Sequence, residues 1–468
     1  MPSHVISCLS RGRKKDSMKI LINNETTITK APGSFLKDGQ SRLTMPNPQW
    51  EANDQMNRWN GNTPRRLEFF RKNGNSLVVP RGFTGQLLQM AHRAGIPYHL
   101  DDQRRILPEV DFTFTGQLRD FQKGAVSVML RKDFGILSAA TGSGKTIMAL
   151  KIIVERRQPC LVIVHTKELL HQWCDRIESF LNIPKADIGI IGDGKKRIGE
   201  KITVGIVNSI YPFAGGLKHH FGHIIVDECH RTPSRTFTEA VSAFDSRYML
   251  GLSATPWRRD GLSKLIFWHI GDVHHEVDKS ALVDSGDILR ADVITRETDF
   301  IPYHDATEEY SRMLSELTED KGRNALIVSD VIREASNGGG VCLVLSDRKS
   351  HCDTLGAMIA GHGIMTDILT GEVKNGERKA VVERLDAGNV KVLIATGQLI
   401  GEGFDAKSLQ TLFLATPIKF SGRLIQYLGR VMRPAPGKDY ARVYDYIDAN
   451  VGVLMNSARA RARVYQQT

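Results

Sequence analysis

Short apolar runs alternate with longer amphipathic segments from about residue 113 to the end of the chain. Short, continuous apolar runs are typical of strands buried on both faces of a parallel, doubly wound α/β sheet. The predicted strands form two series, one at 134–138, 160–165, 202–206, 222–227 and 247–252, the other at 341–346, 366–369, 391–395, 410–414 and 441–446. The pattern therefore predicts two tandem α/β domains with parallel sheets, over 113–280 and 281–468, the second including a linker and a C-terminal tail.

The first 112 residues lack this alternation. Their local signals are a strand at 18–22, two apolar runs at 67–72 and 76–80 joined by the turn Asn73-Gly74-Asn75, and a helix at 83–94. We expect residues 18–112 to form a small, separate α+β domain. Residues 1–17 are polar and basic without periodicity, and we expect a disordered leader there.

Positive charge is concentrated in the same N-terminal part. The net charge of the chain is +11, and residues 1–112 hold 17 Lys and Arg against 10 Asp and Glu. Such an excess suits an anionic polymer as partner. Tryptophans also alternate with arginines there (Trp50, Arg58, Trp59, Arg65 and Arg66), a mixture that can stack on bases or pair with phosphates. A surface loop with anchoring tryptophans explains the same segment, so both interpretations stay open.

Composition narrows the class of protein. Hydrophobic residues make up 41% and charged residues 25%, as in ordinary globular domains. No apolar run approaches the roughly 18 residues of a membrane span, and we expect no secretory signal. The six cysteines are scattered without a C-x-x-C pair, which is typical of a reduced, cytoplasmic protein without disulfides or structural zinc.

The segment 138–146, SAATGSGKT, follows an apolar run and precedes helical spacing. Strand, tight loop and helix in this order predict a phosphate-binding loop, because glycines turn N–H groups inward and the helix N-terminus adds partial positive charge. Lys145 would reach the β- and γ-phosphates of ATP, and the Thr146 hydroxyl would bind Mg²⁺. The other predicted ATP-binding residues of the loop are Thr141, Gly142, Ser143 and Gly144. The pattern G-x-x-x-x-G-K-[ST] departs at one position, where Ala139 replaces the first glycine.

Two carboxylates, Asp227 and Glu228, end another buried strand, at the edge where open α/β sheets bind ligands. Asp227 would hold Mg²⁺ through water, and Glu228 would orient and deprotonate the attacking water. Ser253 and Thr255 follow a further strand, where their hydroxyls can hydrogen-bond His230 and relay the state of the γ-phosphate.

Two further motifs are weaker on their own. The amide of Gln122 can pair with the adenine edge in both donor and acceptor senses, and Arg119 can pack on the base. Thr166 follows the strand at 160–165, where its hydroxyl and a helix N-terminus are available to a phosphodiester.

The ordered motifs resemble those of superfamily 2 nucleic-acid helicases, with Asp227-Glu228-Cys229-His230 as the DExH box. The segment 251–261 (GLSATPWRRDG) is similar to that of XPB-type repair helicases and phage recombination, or branch-migration, helicases, and 77–83 (LVVPRGF) resembles the latter. The resemblance implies two RecA-like domains that bind ATP with Mg²⁺ and act on DNA. An Arg-Glu-Asp element of XPB-type proteins corresponds to Arg258-Arg259-Asp260, whose central residue departs, and Arg258 is a candidate DNA contact.

The resemblance extends into the second predicted domain. Arg430 and Arg433 are three residues apart on one predicted helical face, where they would act as arginine fingers beside Gln426. Asp405 would hold the ribose or an arginine. Ser346 ends a predicted strand and Thr370 and Thr396 follow predicted strands, and each is a candidate contact to the nucleic-acid backbone.

Together these features predict a monomeric, ATP-dependent DNA helicase or translocase in the cytoplasm of a bacterial or phage-infected cell. It would act on duplex, forked or branched DNA in repair, recombination, or fork and junction remodelling. The basic N-terminal domain would grip this DNA. An RNA helicase is one alternative, since a DExH box does not exclude RNA. A motor subunit of a restriction or defence assembly is another.

Overall fold

The computed structural model describes residues 17–231, 235–255, 262–278, 282–283, 286–337, 340–371, 375–397, 399, 406, 408–418 and 421–466. The expected leader, apart from Ser17, lies outside these ranges. The chain divides into two compact units. The first takes the described residues up to Ser138 and from Thr146 to Glu276, and the second takes Ala139–Lys145 and the described residues from Val277 onward.

A small mixed sheet and a two-stranded ribbon begin the first unit. The strands are β1 (Met18–Ile22), β2 (Glu25–Thr29), β3 (Thr44–Pro46), β4 (Arg66–Glu68), β5 (Arg71–Asn73), β6 (Ser76–Pro80) and β7 (Tyr98–Asp102). The sheet order is β5-β6-β2-β1-β7, and β3 pairs with β4 in the ribbon. Helices here are Gly33–Arg42, Pro48–Gln55 and Thr84–Arg93, and the short 3₁₀ turn is Arg81–Phe83.

The predicted hairpin is present, with Asn73 opposite Ser76 and Gly74 in the left-handed region at φ +56°. Its first arm is shorter than predicted. The apolar run 67–72 is divided between β4, which pairs with β3, and β5, which pairs with β6. Tertiary pairing therefore splits a run that is continuous in the sequence.

The core of this N-terminal part includes residues from much later in the chain. Ile20, Ile28 and Phe83 are fully buried in one cluster together with Leu265 and Trp268. Those two residues belong to the helix Ser263–Ile270, which follows the strand that ends at Ser253. The N-terminal part is therefore not separate as expected, because its core includes the helix Ser263–Ile270 of the same unit.

The first unit also contains a larger, mostly parallel sheet. Its strands are β8 (Phe134–Ser138), β9 (Cys160–Val164), β10 (Gly189–Gly192), β11 (Lys195–Arg197), β12 (Ile202–Ile206), β13 (His223–Val226), β14 (Tyr248–Ser253) and β15 (Val273–Glu276). Their order is β11-β10-β12-β9-β13-β14-β8-β15, parallel except at β11. All five predicted strands are confirmed, whereas β10, β11 and β15, short or polar, were missed.

Helices cover this sheet. They are Asp120–Leu130, Lys145–Arg156, Lys167–Leu181, Val207–Ile210, Ala214–Leu217, Arg235–Ser242 and Ser263–Ile270. The strands β9, β13, β14 and β8 are consecutive and parallel in the sheet. The residues that follow them therefore meet at one edge of the sheet. That edge receives the phosphate loop, Thr166, Asp227 and Thr255.

The second unit contains one parallel sheet. Its strands are β16 (Ala291–Thr298), β17 (Val341–Ser346), β18 (Thr366–Leu369), β19 (Val392–Thr396), β20 (Leu409–Leu414) and β21 (Ala441–Asp448), in the order β16-β21-β20-β17-β19-β18. The helices are Tyr310–Glu319, Lys321–Asn337, Lys349–Ala360, Asn375–Asp386, Ser421–Val431 and Gly452–Tyr465. The five predicted strands are confirmed. The edge strand β16 was missed because its residues alternate between polar and apolar.

Buried ion pairs hold the helices of the second unit to its sheet. Arg323 donates to Asp448 at 2.8 Å, and both side chains are almost fully buried. Arg461, in the last helix, donates to Asp445 of β21 at 2.9–3.0 Å and is 3% exposed. Arg461 therefore holds the last helix on the sheet. No helix among the described residues is long and apolar enough to cross a membrane.

Candidate active site

The loop Ala139–Gly144 connects β8 to the helix that begins at Lys145. Gly142 and Gly144 adopt φ of +91° and +85°, which glycine adopts at little cost. The backbone N–H and the hydroxyl of Ser143 both donate to the carbonyl of Ala140, at 3.2 and 2.7 Å. These bonds close the loop into the tight turn that the glycine spacing predicts.

The Lys145 ammonium lies inside the curve of this loop. It donates to the carbonyl of Ala139 at 3.0 Å and is 3.4 Å from that of Ala140. Ala139 is 2% exposed, so the methyl group that replaces the first glycine of the pattern is buried. The Thr141 hydroxyl oxygen is buried and has no hydrogen-bond partner within the described part of the chain. A loop with inward glycines, a lysine and this hydroxyl fits a phosphate chain.

Asp227 is held rigidly where β13 ends. One carboxylate oxygen accepts from the indole N–H of Trp173 at 2.8 Å, and the other accepts from the backbone N–H of Glu228 at 2.9 Å. Glu228 itself has φ +49°, a left-handed conformation that is uncommon for a residue with a side chain and costs about 1–3 kcal/mol. The chain therefore makes a sharp turn at Glu228, just after the strand.

Trp173 is a positioning residue that sequence reasoning missed. It lies in the helix Lys167–Leu181 at the spacing of core residues, with Leu170 and Ile177, and it is buried like them. The available signal was its N–H group, because a buried indole N–H almost always has an acceptor.

The predicted contact between His230 and Ser253 is present. His230 Nδ1 lies 3.2 Å from the Ser253 hydroxyl and 3.2 Å from a carboxylate oxygen of Glu228. The Ser253 hydroxyl, fully buried, also accepts the backbone N–H of Thr255 at 3.0 Å. His230 thus lies within 3.2 Å of both Glu228 and Ser253, and the Ser253 hydroxyl bonds the segment after β14.

Gln122 has a local structural task. It is 5% exposed, and its side-chain oxygen accepts the backbone N–H of Arg119 at 3.0 Å, which caps the helix Asp120–Leu130. Contact with adenine stays a prediction for both residues.

Gln426 and Arg430 lie in the helix Ser421–Val431, but Arg433 follows its end. The prediction that both arginines lie on one helical face is therefore wrong for Arg433. Pro434 explains the difference, since the residue before a proline avoids helical conformation. Arg430 is 9% exposed and Arg433 is half-buried.

Lys438 fixes the end of this helix. Its ammonium donates to the carbonyl of Leu409 at 2.5 Å, to that of Arg433 at 2.9 Å and to that of Val431. Burial, and secondarily Arg433, lowers the pKa of Lys438 to about 8. The sequence had no motif that pointed to this lysine.

Within the second unit, the helix Ser421–Val431 packs against the loop residues Ala139–Lys145. A Cβ atom at Gly142 would lie 3.2 Å from Arg433 Cγ and 3.2 Å from the Gly429 carbonyl. A Cβ atom at Gly429 would lie 2.5 Å from Thr141 Cβ. Glycine at both positions permits this approach, and it brings the Arg433 side chain to the phosphate loop.

The candidate backbone contacts differ in accessibility. Thr166 caps the helix Lys167–Leu181, its hydroxyl accepting from Leu169 N at 3.3 Å. Ser346 pairs with Thr396 across β17 and β19, but it is 1% exposed and its hydroxyl bonds His351 Nδ1 at 3.0 Å. Thr370, directly after β18, lies at the same edge and is 7% exposed. Arg258 and Asp405 lie outside the described residues.

Two family models match the chain in the order of its two parallel sheets. The model described as "Type III restriction enzyme, res subunit" matches residues 115–258, and "Helicase conserved C-terminal domain" matches residues 311–435.

Curated relatives agree. The chain is 26% identical over 350 residues to DNA 3'-5' translocase XPB2 of Sulfurisphaera tokodaii, which covers 68% of this chain and 79% of that protein. It is 26% identical over 382 residues to a protein named as helicase D10 of Escherichia phage T5, covering 81% and 82%. The chain belongs to the superfamily 2 helicases. A protein named as ATP-dependent RNA helicase L396 of Acanthamoeba polyphaga mimivirus is also 26% identical to this helicase over 375 residues, covering 77% and 70%.

The fold has solved counterparts. Dbp5 of Saccharomyces cerevisiae bound to RNA and ADP BeF3 has a TM-score of 0.54 at 14% identity, over 76% of this helicase and 89% of that chain. At this identity the likeness concerns the fold alone, and it confirms the predicted pair of RecA-like domains. As a member of these families, the helicase hydrolyses ATP and binds nucleic acid.

Proposed function

We propose that this helicase is a DNA helicase or translocase that acts as a monomer on duplex, forked or branched DNA, in repair, recombination or junction remodelling. The observation that carries the motor part of the proposal is Arg433, whose Cγ would be 3.2 Å from a Cβ at Gly142 of the phosphate loop. An arginine at this loop can stabilise the charge that develops on the γ-phosphate, an effect of about 10³–10⁵ in rate.

Each residue then has a distinct task in ATP hydrolysis. The backbone N–H groups of Gly142, Gly144 and Lys145 and the Lys145 ammonium bind the phosphates. Glu228, held at the turn after β13, accepts a proton from the attacking water. Arg430 and Arg433 neutralise transition-state charge from the second RecA-like domain.

The oxygen donors fit a magnesium ion. Mg²⁺ prefers carboxylate, hydroxyl and phosphate oxygens, and the Thr146 hydroxyl with the rigidly bonded Asp227 would hold it. When bound, the ion neutralises charge on the phosphate oxygens. The protein's own contribution is the fixed orientation of Asp227 by Trp173.

The contacts that run from Glu228 through His230 and Ser253 to Thr255 support coupling between hydrolysis and nucleic acid. Loss of the γ-phosphate would alter the surroundings of Glu228, and His230 and Ser253 would pass the change to the segment after β14. Thr166, Thr370 and Thr396, at the carboxyl ends of strands, are then candidates to hold and release the backbone.

The basic N-terminal part suits either nucleic acid, and the name of the XPB2 relative favours DNA over RNA. RNA is the competing substrate, because the mimivirus relative is named as an RNA helicase. The match to a restriction-subunit model is the reason to keep a motor of a multi-subunit assembly as a second candidate.

One experiment separates these possibilities. The purified chain is assayed for ATPase activity and strand separation with single-stranded, forked and four-way DNA and with matched RNA. Stimulation and unwinding that are strongest with forked or four-way DNA are the expected result. Stronger activity with RNA would overturn the DNA assignment, and ATPase activity without unwinding would favour a motor subunit that needs partners.

A further inference from the structure

An excursion of the chain projects from the ribbon formed by β3 and β4. It covers residues 47–65 and is fastened at its base by Asn47, which is 6% exposed. The Asn47 backbone N–H donates to the Arg65 carbonyl at 3.1 Å, and its side-chain amide donates to the Pro64 carbonyl at 2.7 Å. The excursion is therefore a closed unit with a fixed origin.

The tip of the excursion is held by its own hydrogen bonds. Arg58 N donates to the Asn53 carbonyl at 2.8 Å, after Asn57 turns the chain at φ +50°. The Asn53 amide donates to the side-chain oxygen of Asn60 at 3.1 Å, and Thr63 N donates to the Asn60 carbonyl at 2.8 Å. These bonds join residues of the excursion to one another and give the tip a defined shape.

This ordered tip presents Trp59 to solvent. The residue is 91% exposed, whereas Trp173 and Trp268 are buried. Gly61, at φ +49°, lies directly beside the ring, since a Cβ there would be 3.0 Å from an indole carbon. A side chain at position 61 would crowd the indole, and glycine leaves the ring open to a flat ligand.

The surroundings of Trp59 are mostly polar and largely basic, with Met56, 61% exposed, as a single apolar side chain three residues before it. Arg58, Arg65 and Arg66 are exposed near the tip and the base of the excursion, against the acidic Glu51 and Asp54. The Arg65 guanidinium lies 5.1 Å from the ring centre of Trp50. An isolated aromatic ring among arginines and asparagines suits a nucleobase attached to phosphates. A protein partner would require a broader apolar patch around the ring.

We propose that Trp59 stacks on an unpaired nucleobase of DNA at the point where two strands separate. A base inside a duplex already has stacking partners on both sides, so a single exposed ring gains most from a base that has lost one. This inference rests on the proposed function, because it presumes a DNA substrate, and it deepens that function by naming the feature of DNA that is bound.

The test compares Trp59→Ala, Trp59→Phe and Tyr303→Ala with the wild type. Tyr303 is a matched control, because it is 93% exposed and lies in the second unit. The probe is a DNA fork with 2-aminopurine as its first unpaired base, beside a blunt duplex with the same base inside. Binding and 2-aminopurine fluorescence are measured without nucleotide.

Trp59→Ala is expected to bind the fork and single strands about 5- to 100-fold more weakly, the range of one lost base–aromatic stack. Its affinity for the blunt duplex changes little. Trp59→Phe keeps most of the fork affinity, and Tyr303→Ala matches the wild type. The wild type, unlike Trp59→Ala, quenches 2-aminopurine at the fork more strongly than inside the duplex.

Equal fork binding by Trp59→Ala and wild type, or equal losses on fork and blunt duplex, would overturn the stacking role. The first of these results would assign the exposed ring to a protein partner instead. DNA-stimulated ATPase activity of the wild type separates this failure from failure of the proposed function. If the wild type is not stimulated by any DNA, the DNA assignment itself is wrong.

Discussion

Glu228 combines an uncommon backbone conformation with contacts to the residues around it. Its backbone is left-handed, and one of its carboxylate oxygens lies 3.2 Å from His230 Nδ1. Such local strain is typical of residues whose position matters more than their contribution to stability. At the residue scale, the two adjacent carboxylates therefore have different contacts.

Glu228→Gln should abolish ATP turnover, with kcat reduced by about 10²–10⁴, because the amide cannot accept the proton of the attacking water. Nucleic-acid binding should remain. Steady-state ATPase and DNA-binding assays measure both, with the exposed Glu200→Gln as a control that leaves both unchanged. Turnover near the wild-type rate in Glu228→Gln would rule out its role as the base.

His351 predicts an acid-dependent loss of stability. Burial, and secondarily Arg323, lowers its pKa to about 3, and its ring bonds Ser346 and Asn324. Between these pKa values, the histidine is protonated in the unfolded chain, where its pKa is near 6.5, but not in the folded chain. Protonation therefore favours the unfolded chain, and the free energy of unfolding falls as pH drops from 6.5 toward 3. Between pH 7.5 and 5 the loss from this residue should be about 2 kcal/mol.

Urea unfolding at the two pH values tests this, with His351→Asn as the variant that cannot titrate in this range. Other buried histidines affect both proteins alike. The free energy of unfolding of the variant should therefore fall less on acidification than that of the wild type. Parallel falls would mean that His351 is accessible to protons in the folded chain.

At the scale of elements, the helix Ser263–Ile270 connects two parts of the first unit. It follows the segment of Ser253 and Thr255, and its Leu265 and Trp268 complete the N-terminal core. The turn Arg81–Phe83 packs on the same helix, and Arg81, itself buried, donates to the Ser246 carbonyl at 2.7 Å. The N-terminal part is thus attached to the helix that follows the segment of Ser253 and Thr255.

Gly82→Ala should destabilise this attachment by about 1–3 kcal/mol, because the new methyl group would lie 2.4 Å from the Phe267 carbonyl and 2.6 Å from that of Trp268. Backbone atoms cannot move aside as a flexible side chain can. Gly85→Ala is the matched control, since its nearest neighbour would be 3.9 Å away and alanine favours the helix. Thermal unfolding and hydrogen exchange of β1 and β2 measure the effect. Equal stability of the two variants would contradict the close packing.

At the scale of the whole molecule, deleting residues 1–112 would remove most of a shared core and expose Leu265 and Trp268. Charge removal is a cleaner way to examine the grip on DNA. The triple variant Arg58→Ala, Arg65→Ala, Arg66→Ala alters exposed side chains only. It should weaken binding to all DNA and lower the slope of log affinity against log salt by up to about 3, one unit for each lost phosphate contact.

Binding measured between low and physiological salt gives this slope. Arg131→Ala is the control, since Arg131 is an exposed arginine in the same unit. It should change the slope of log affinity against log salt by no more than about one unit. Basal ATP hydrolysis should be unchanged in both variants. An unaltered slope in the triple variant would place the DNA contacts elsewhere on the protein.

The sequence by itself determined the two parallel sheets and the chemistry of the phosphate loop and the DExH box. Buried strands form continuous apolar runs, and loop motifs need particular residues at consecutive positions, so both are local signals. Strands at the edges, such as β15 and β16, were missed because their residues are only partly buried.

Only the tertiary structure decided the contacts that join distant residues. Trp173 orients Asp227 across 54 positions, Lys438 caps a helix end with a buried ammonium, and Trp268 completes a core that begins at Met18. Each of these residues is ordinary in its own sequence neighbourhood. Its task arises from which elements pack together, because burial and a specific partner, not spacing along the chain, give a side chain its role.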